Sequence, residues 1–167
     1  QSIKKIILLQ AVSMYYGGLV MLFYGDEIGY TNDYSYLLDE AKVYDNRWMH
    51  RPMIDWQKNN KSTNSGTIEY NLFSLTQKLI SIRQSHPQFA DTNNLSMLQE
   101  ENNHVLGFCR FNESDRIFCL FNYSAHPVYM SWYIFKEFAS EGQVLIDLWS
   151  MEEITIGADQ KHFMLDA

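Results

Sequence analysis

The sequence predicts an α+β protein in two parts, and two observations carry that prediction. Residues 1–93 read as helix, buried strand, long loop and helix, whereas from residue 94 the pattern changes to short strands separated by turn residues. The chain has 167 residues and is 46% hydrophobic, which is enough for one full core or for one small domain plus the tail of another. We therefore expect a domain boundary between residues 93 and 94.

The first helix and the strand after it are predicted by apolar spacing. Apolar residues recur at helical intervals over residues 2–16, and Gly17-Gly18 provides the residue type that commonly closes a helix. The continuous apolar run at residues 19–24 is bounded by glycine on both sides and is typical of a strand covered on both faces, as in parallel sheets. A helix followed by a buried strand is half of a β/α unit.

The second helix is predicted to begin after Thr67, a suitable N-cap, with Glu69 in its first turn. It should end near Ser85, because Pro87 blocks further extension. Its apolar stripe consists of Ile68, Leu72, Leu75, Leu79 and Ile82.

The loop between the strand and the second helix, residues 25–66, lacks a sustained period but is rich in aromatic residues. Loops longer than about 15 residues are usually functional or disordered. A long aromatic loop after a buried parallel strand is where barrel enzymes build their active sites. We therefore expect a functional site in this loop.

The second part contains seven β-rich runs that predict an antiparallel sandwich. They lie at residues 95–99, 104–111, 116–123, 128–135, 143–150, 153–156 and 162–165. Cys109 and Cys119 are too few for a disulfide framework, so we expect both to be free, buried thiols.

Charge and composition exclude several classes of partner. A formal net charge of −7 argues against a nucleic-acid or anionic-membrane surface, because both require clustered Lys and Arg. No apolar run reaches the length of a membrane span. A neutral small molecule fits better, and the eleven Tyr, ten Phe and four Trp can supply flat faces for sugar rings as well as core packing.

Four sequence blocks carry a family resemblance. The run GLVMLFYGDEIG at residues 18–29 resembles the eighth-strand signature of the α-amylase superfamily, glycoside hydrolase family 13, with Val20 and Phe23 where that superfamily usually has Pro and Tyr. Asn32-Asp33, residues 45–52 and residues 83–89 resemble the corresponding blocks of amylosucrases and their relatives. The resemblance implies that residues 1–93 are the last β/α portion of a (β/α)8 TIM barrel, with helix 7, strand 8, loop and helix 8. Residues 94–167 would then be the antiparallel β-sandwich named domain C.

The resemblance also implies an enzyme that cleaves or transfers an α-glucosyl unit of sucrose or an α-glucan with retention of configuration. Retention needs a nucleophilic carboxylate and an acid/base carboxyl about 5 Å apart. The family carries these groups on strands four and five, with a third carboxylate after strand seven, and none of the three motifs occurs here. We therefore expect a C-terminal fragment, beginning inside a helix, that has no catalytic residue, metal or cofactor and is inactive alone.

Candidate substrate-binding residues lie in the loop. By resemblance, Arg47 forms a salt bridge with an upstream Asp that closes the floor of the sucrose pocket, since guanidinium binds carboxylate bidentately; the alternative is a surface pair with Asp45. The full candidate set is Arg47, Arg51, Asp26, Glu27, Asp45 and Trp48.

The adjacent acids and the tryptophans in this loop each have a second interpretation. Asp26 and Glu27 would point to opposite faces of an extended segment, so bracing the loop is favoured over catalysis. For Trp48 and Trp56, anchoring the loop is favoured over stacking on sugar.

Two other functions remain open. One is a free-standing carbohydrate-binding sandwich that stacks sugar on Trp132, Tyr133 and Trp149, and the other is a structural role in which residues 94–167 cover the barrel or mediate oligomerisation. The expected partner is sugar in the intact enzyme, with no nucleic acid or membrane. Because a single barrel strand has two open edges, we also expect residues 19–24 to pack on the helices or to pair with another chain. The compartment stays open, with the cytoplasm favoured.

Overall fold

The computed structural model describes residues 2–99, 102–157 and 161–167. The helices are α1 Ser2–Tyr16, α2 Trp56–Asn60 and α3 Ile68–Ser85, and the strands are β1 Leu95–Met97, β2 Val105–Phe111, β3 Arg116–Asn122, β4 Val128–Ser131, β5 Val144–Ile146, β6 Glu153–Thr155 and β7 His162–Leu165. The chain forms two compact units, the first from residues up to Ala11 with Leu19–Ser81 and the second from Val12–Gly18 with Ile82–Ala167. Among the described residues, no helix combines the length and apolarity that crossing a membrane requires.

Both long helices lie where their sequence patterns predict them. Helix α1 has the predicted bounds, and the hydroxyl of Thr67 accepts a hydrogen bond from the Tyr70 N–H at 3.1 Å, as expected of the N-cap of α3. In the first unit Ile7 of α1 is buried, as are Leu72 and Leu79 of α3. These helices therefore form from local signals and contribute part of the predicted apolar stripes to a core, whereas Ile68 of the α3 stripe is exposed.

The predicted buried strand at residues 19–24 is wrong for this chain. The segment belongs to none of the strands, and the exposed fractions of Leu19 and Met21 are 99% and 90%. The expectation that it packs on the helices is wrong for the same reason, whereas pairing with another chain stays a prediction. A strand needs a neighbour for its backbone groups, and the described part of this chain supplies none.

The second unit contains three separate antiparallel sheets, with strand orders β1-β2-β3, β4-β7 and β5-β6. All seven predicted strand regions contain a strand, and the antiparallel pairing is confirmed. The sandwich arrangement and the barrel portion are not shown by this structure and stay predictions. One face of β2 packs into a cluster of buried apolar residues, namely Leu98, Val105, Cys109, Met130, Ile134, Phe135 and Ile156.

The predicted strand at residues 128–135 is only half correct. Strand β4 ends at Ser131, and Trp132–Phe135 forms a 3₁₀ helix whose first turn is capped by the Ser131 hydroxyl. Trp132 and Phe135 both contact Phe163, with ring centroids 4.6 and 5.6 Å away. A strand would place these two side chains on opposite faces, whereas a helical turn lets both reach one ring.

The two cysteines are free and buried, as predicted. The β2–β3 register pairs Cys109 with Phe118 and Cys119 with Phe108, so the two thiols lie on opposite faces of this strand pair. Burial raises the pKa of Cys109 to about 11 and that of Cys119 to about 12. Both thiols are therefore protonated at neutral pH and behave as small apolar side chains.

Candidate functional site

The adjacent acids of the candidate site lie on a short turn in the first unit. Asp26–Ile28 forms one turn of 3₁₀ helix between Gly25 and Gly29, which both have positive φ. The Glu27 carboxylate accepts a hydrogen bond from the Gly25 N–H at 2.9 Å, so one of the two acids braces the turn. The Asp26 pKa is raised because its carboxyl is partly removed from water and because Glu27 carries a like charge, although the residue as a whole is exposed.

Asp45 and Arg47 form a bidentate ion pair. Arg47 Nε and Nη2 each donate to a carboxylate oxygen of Asp45 at 2.8 Å, and Asp45 also caps the 3₁₀ helix Asn46–His50 through the Arg47 N–H. Hydrogen bonds from Arg47 lower the pKa of Asp45, and the same pairing raises the pKa of Arg47. The Arg47 side chain is 73% exposed, so its pairing here is the surface alternative considered above, and its role in a sugar pocket stays a prediction.

Trp48 is half-buried and lies beneath two cations. Lys42 Nζ is 5.3 Å from the centroid of the Trp48 ring, and the Arg51 guanidinium carbon is 5.6 Å from it. Both distances are within the range of cation–π attraction. The Trp48 ring therefore makes contacts that anchor the loop, and the Arg51 guanidinium is one of the groups packed on that ring.

Two separate sequence blocks meet within the loop. The Asp33 N–H donates to the Met49 carbonyl at 2.8 Å, and His50 Nδ1 lies 3.3 Å from Asn32 Oδ1. The Tyr24 hydroxyl donates to the Pro52 carbonyl at 3.1 Å. The blocks that carry the family resemblance at residues 32–33 and 45–52 thus form one local structure.

Two residues that the sequence analysis did not single out hold this loop in place. The Tyr30 hydroxyl lies within hydrogen-bonding distance of the Asp55 backbone and, at 2.8 Å, of Asn59 Oδ1. Lys58 Nζ donates to the Gly29 carbonyl at 3.1 Å, lies 3.9 Å from Glu69 Oε1 and lies over the Tyr30 ring. Asp55 and Asn59 lie 25 and 29 residues from Tyr30 along the chain, and Gly29 lies 29 residues from Lys58. No short-range sequence pattern could therefore have revealed these contacts.

The candidate residues form two separate groups. Asp45, Arg47, Trp48 and Arg51 share the 3₁₀ helix Asn46–His50 and its ends, whereas Asp26 and Glu27 share the other turn. Within the described residues, no hydrogen bond or ion pair joins the two groups. The group around the 3₁₀ helix Asn46–His50 can present charged and aromatic side chains to a polar ligand. In the other group, Glu27 stabilises the turn on which it lies.

Trp132, Tyr133 and Trp149, the residues considered for stacking on sugar, differ in how far their side chains are exposed. Trp132 packs against Phe163 and Phe135 and is partly buried, so its faces belong to the core. Tyr133 is 66% exposed, with Lys136 Nζ 3.8 Å from its ring centroid, and Trp149 is 39% exposed. A platform formed by all three aromatic rings is therefore wrong, because core packing occupies the Trp132 ring.

Comparison with known proteins shows what this fold is similar to. Residues 95–167 match the family model for the maltogenic amylase C-terminal domain. A solved structure of an AmyP variant in complex with maltotriose matches 98% of this chain and 33% of its own, with 17% identity and a TM-score of 0.69. An inactive double mutant of MutB in complex with isomaltulose matches 96% of this chain and 36% of its own, with 18% identity and a TM-score of 0.57.

These matches support the coarser part of the resemblance. The fold of the chain is similar to a segment of these structures, and residues 95–167 are similar to the C-terminal domain of an amylase-family enzyme. The chain spans about a third of the length of the structures it matches. The closer likeness to amylosucrases stays a prediction.

Proposed function

We propose that this chain is the C-terminal part of a retaining α-glucoside-processing enzyme of the α-amylase family, closest to amylosucrases. The observation that carries the proposal is the loop at residues 24–52, where the blocks that resemble the family contact one another through Asp33–Met49 and Tyr24–Pro52. In this proposal the loop lines and braces a pocket for sucrose or an α-glucan, and the catalytic carboxylates lie on another part of the enzyme.

Arg47 is the residue we propose to contact the pocket. Its side chain is 73% exposed, and Nε and Nη2 already donate to Asp45, so the ion pair fixes the guanidinium at the surface of the loop and leaves Nη1 as the nitrogen that the pair does not use. Guanidinium donors suit a carboxylate partner because the charge and the geometry both match. Trp48 lies in the same 3₁₀ helix and Arg51 follows its last residue, and both would complete this side of the pocket.

The test compares the complete reading frame with the 167-residue chain. We expect the complete protein to turn over sucrose or maltotriose and the 167-residue chain to turn over neither, because the chain lacks the family's acid motifs. Arg47→Ala in the complete protein should lower kcat/KM about tenfold or more through a lost charge-assisted contact. Arg116→Ala, at an exposed arginine of β3, is the matched control and should leave activity unchanged.

Turnover by the 167-residue chain itself would contradict this proposal. The second candidate function, a carbohydrate-binding module, is favoured only by the exposure of Tyr133 and Trp149. Saturable quenching of tryptophan fluorescence by glucans, with an inactive complete protein, would favour that module instead.

A further inference from the structure

The C-terminal end of helix α1 lies against two arginines from elsewhere in the second unit. Arg83, near the end of α3, donates through Nη1 to the Met14 carbonyl and through Nη2 to the Gly18 carbonyl, the latter at 3.1 Å. Arg110, on β2, donates through Nη1 to the Tyr16 carbonyl at 2.6 Å. Two carbonyls of the last helical turn and one just beyond it are thus bound by two guanidinium groups.

These contacts supply what helix α1 lacks. The last four carbonyls of an α-helix have no partner inside the helix, and its C-terminus carries a partial negative charge. The last turn of α1 contains no basic residue of its own. Positive charge and donors therefore come from Arg83 and Arg110.

Arg110 is fully buried, with an exposed fraction of 0%. Its Nη2 also donates to the Gln88 carbonyl at 3.2 Å and to the Asp91 carbonyl, so its bonded acceptors are backbone carbonyls. Burial lowers the pKa of Arg110, which reflects the cost of keeping the charge away from water. A buried cation that binds a helix end offsets that cost with the dipole of the helix.

The end of helix α1 also packs on one face of the β2–β3 strand pair. The β2–β3 register puts Phe108, Arg110, Cys119 and Phe121 on one face, opposite the face that contains Cys109. All four are buried, and Tyr16 at the end of α1 packs edge-on against Phe108 with ring centroids 5.4 Å apart. Tyr15 stacks on Phe89 at 4.8 Å.

The geometry points to a built receptor for a helix C-terminus: Arg83 and Arg110 bind the carbonyls of residues 14–18, and the β2–β3 face is completed by that helix end. Its occupant is this chain's own helix α1, which ends in Tyr15-Tyr16 followed by glycine. Gly17 is part of the fit, because its φ is +142° and a Cβ there would lie 2.9 Å from Arg110 Nη1. The C-terminal unit is therefore larger than the segment at residues 95–167 and includes residues 12–18, and this holds independently of the proposed function.

The test measures amide hydrogen exchange on the full chain with substitutions in the receptor. Arg83→Met and Arg110→Met should each speed exchange at residues 12–18 at least tenfold, while Arg83→Lys should give an intermediate rate because one ammonium can replace one bond. Gly17→Ala should accelerate the same amides. Arg116→Met, an exposed arginine of β3, is the control and should leave residues 12–18 unchanged.

The result that overturns the inference is exchange at residues 12–18 that rises no more than exchange in β2 and β3 in the Met variants. Arg110→Met can also unfold the whole chain, because Arg110 lies in the core. Arg83 is only half-buried, so Arg83→Met decides the matter if Arg110→Met does not fold.

Discussion

Met151 is the one residue other than glycine with a positive φ in the described part of the chain, at 65°. It lies in the turn between β5 and β6, where its N–H donates to the Asp147 carbonyl at 2.7 Å and its side chain is 70% exposed. The left-handed conformation costs a side-chain-bearing residue about 1–2 kcal/mol, and glycine does not pay it.

We expect Met151→Gly to stabilise the chain by about 0.5–1 kcal/mol, because relief of this strain exceeds the entropy that a glycine adds to the unfolded state. Urea or thermal unfolding followed by circular dichroism measures the change. Met53→Gly is the matched control, since Met53 is 84% exposed and lacks a positive φ, and it should not stabilise. Equal effects at both positions would show that the Met151 backbone is unstrained.

Asp26 gives a prediction about pH. Its pKa is raised in the folded chain, so the folded state binds a proton more tightly than the unfolded state, and stability falls as pH rises from the unfolded pKa of 3.8 through the folded pKa. Asp26→Asn should therefore be more stable than the native chain at pH 7 and lose that advantage below the unfolded pKa. Asp33→Asn serves as a control of opposite sign, because hydrogen bonds from Ser35 lower the Asp33 pKa. Unfolding free energies measured from pH 3 to pH 7 distinguish the two signs.

At the scale of the element, the loop contains several short helices, two of which begin at a side-chain cap, Asp45 and Asp55. Asp55 Oδ1 accepts hydrogen bonds from the Gln57 and Lys58 N–H groups at 2.9 and 3.1 Å, and this cap begins the five-residue helix α2. Lys58 then reaches the Gly29 carbonyl. A local cap thus places a residue that makes a long-range contact.

Asp55→Ala should destabilise α2 by about 1 kcal/mol, because a helix this short depends on its cap. Asp55→Asn, which keeps an acceptor oxygen at the same place, should lose much less. Amide exchange at residues 56–60 measures the difference. Equal exchange in the two variants would mean that tertiary contacts alone hold the helix.

At the scale of the whole molecule, residues 19–24 present an uncharged apolar segment on a chain of net charge −7. An exposed run of six residues with high β-propensity and no Pro is a pairing hazard. We propose that in the 167-residue chain this segment associates with a second copy, whereas in the enzyme proposed above the rest of the fold would cover it.

Met21→Lys should shift the isolated chain toward monomer, because a charge in the middle of the segment opposes pairing. Met53→Lys makes the same change at a similarly exposed methionine outside the segment, 84% against 90%, and should leave association unchanged. Sedimentation velocity over a range of concentrations measures both. A native chain that stays monomeric at every concentration would refute the association.

The features that the sequence could predict are those that depend on residues close together in the chain. The bounds of α1 and the cap of α3 were predictable because apolar spacing, Thr67 and Pro87 act within a few residues. Strand β4 was overextended because the contact of Phe135 with Phe163 joins residues far apart in sequence. In the candidate site, the Arg47–Asp45 pair was foreseen as an alternative, whereas the contacts of Tyr30 and Lys58 had no local signal.

The sequence by itself determined the two long helices, the seven strand regions, the free cysteines and the family resemblance of the loop, since each depends on residue type and short spacing. Only the tertiary structure decided that residues 19–24 lie exposed, that Lys58 reaches the Gly29 carbonyl and that Arg110 binds the end of helix α1. The physical reason is that backbone and charged groups must find partners, and their partners are chosen by the folded chain as a whole.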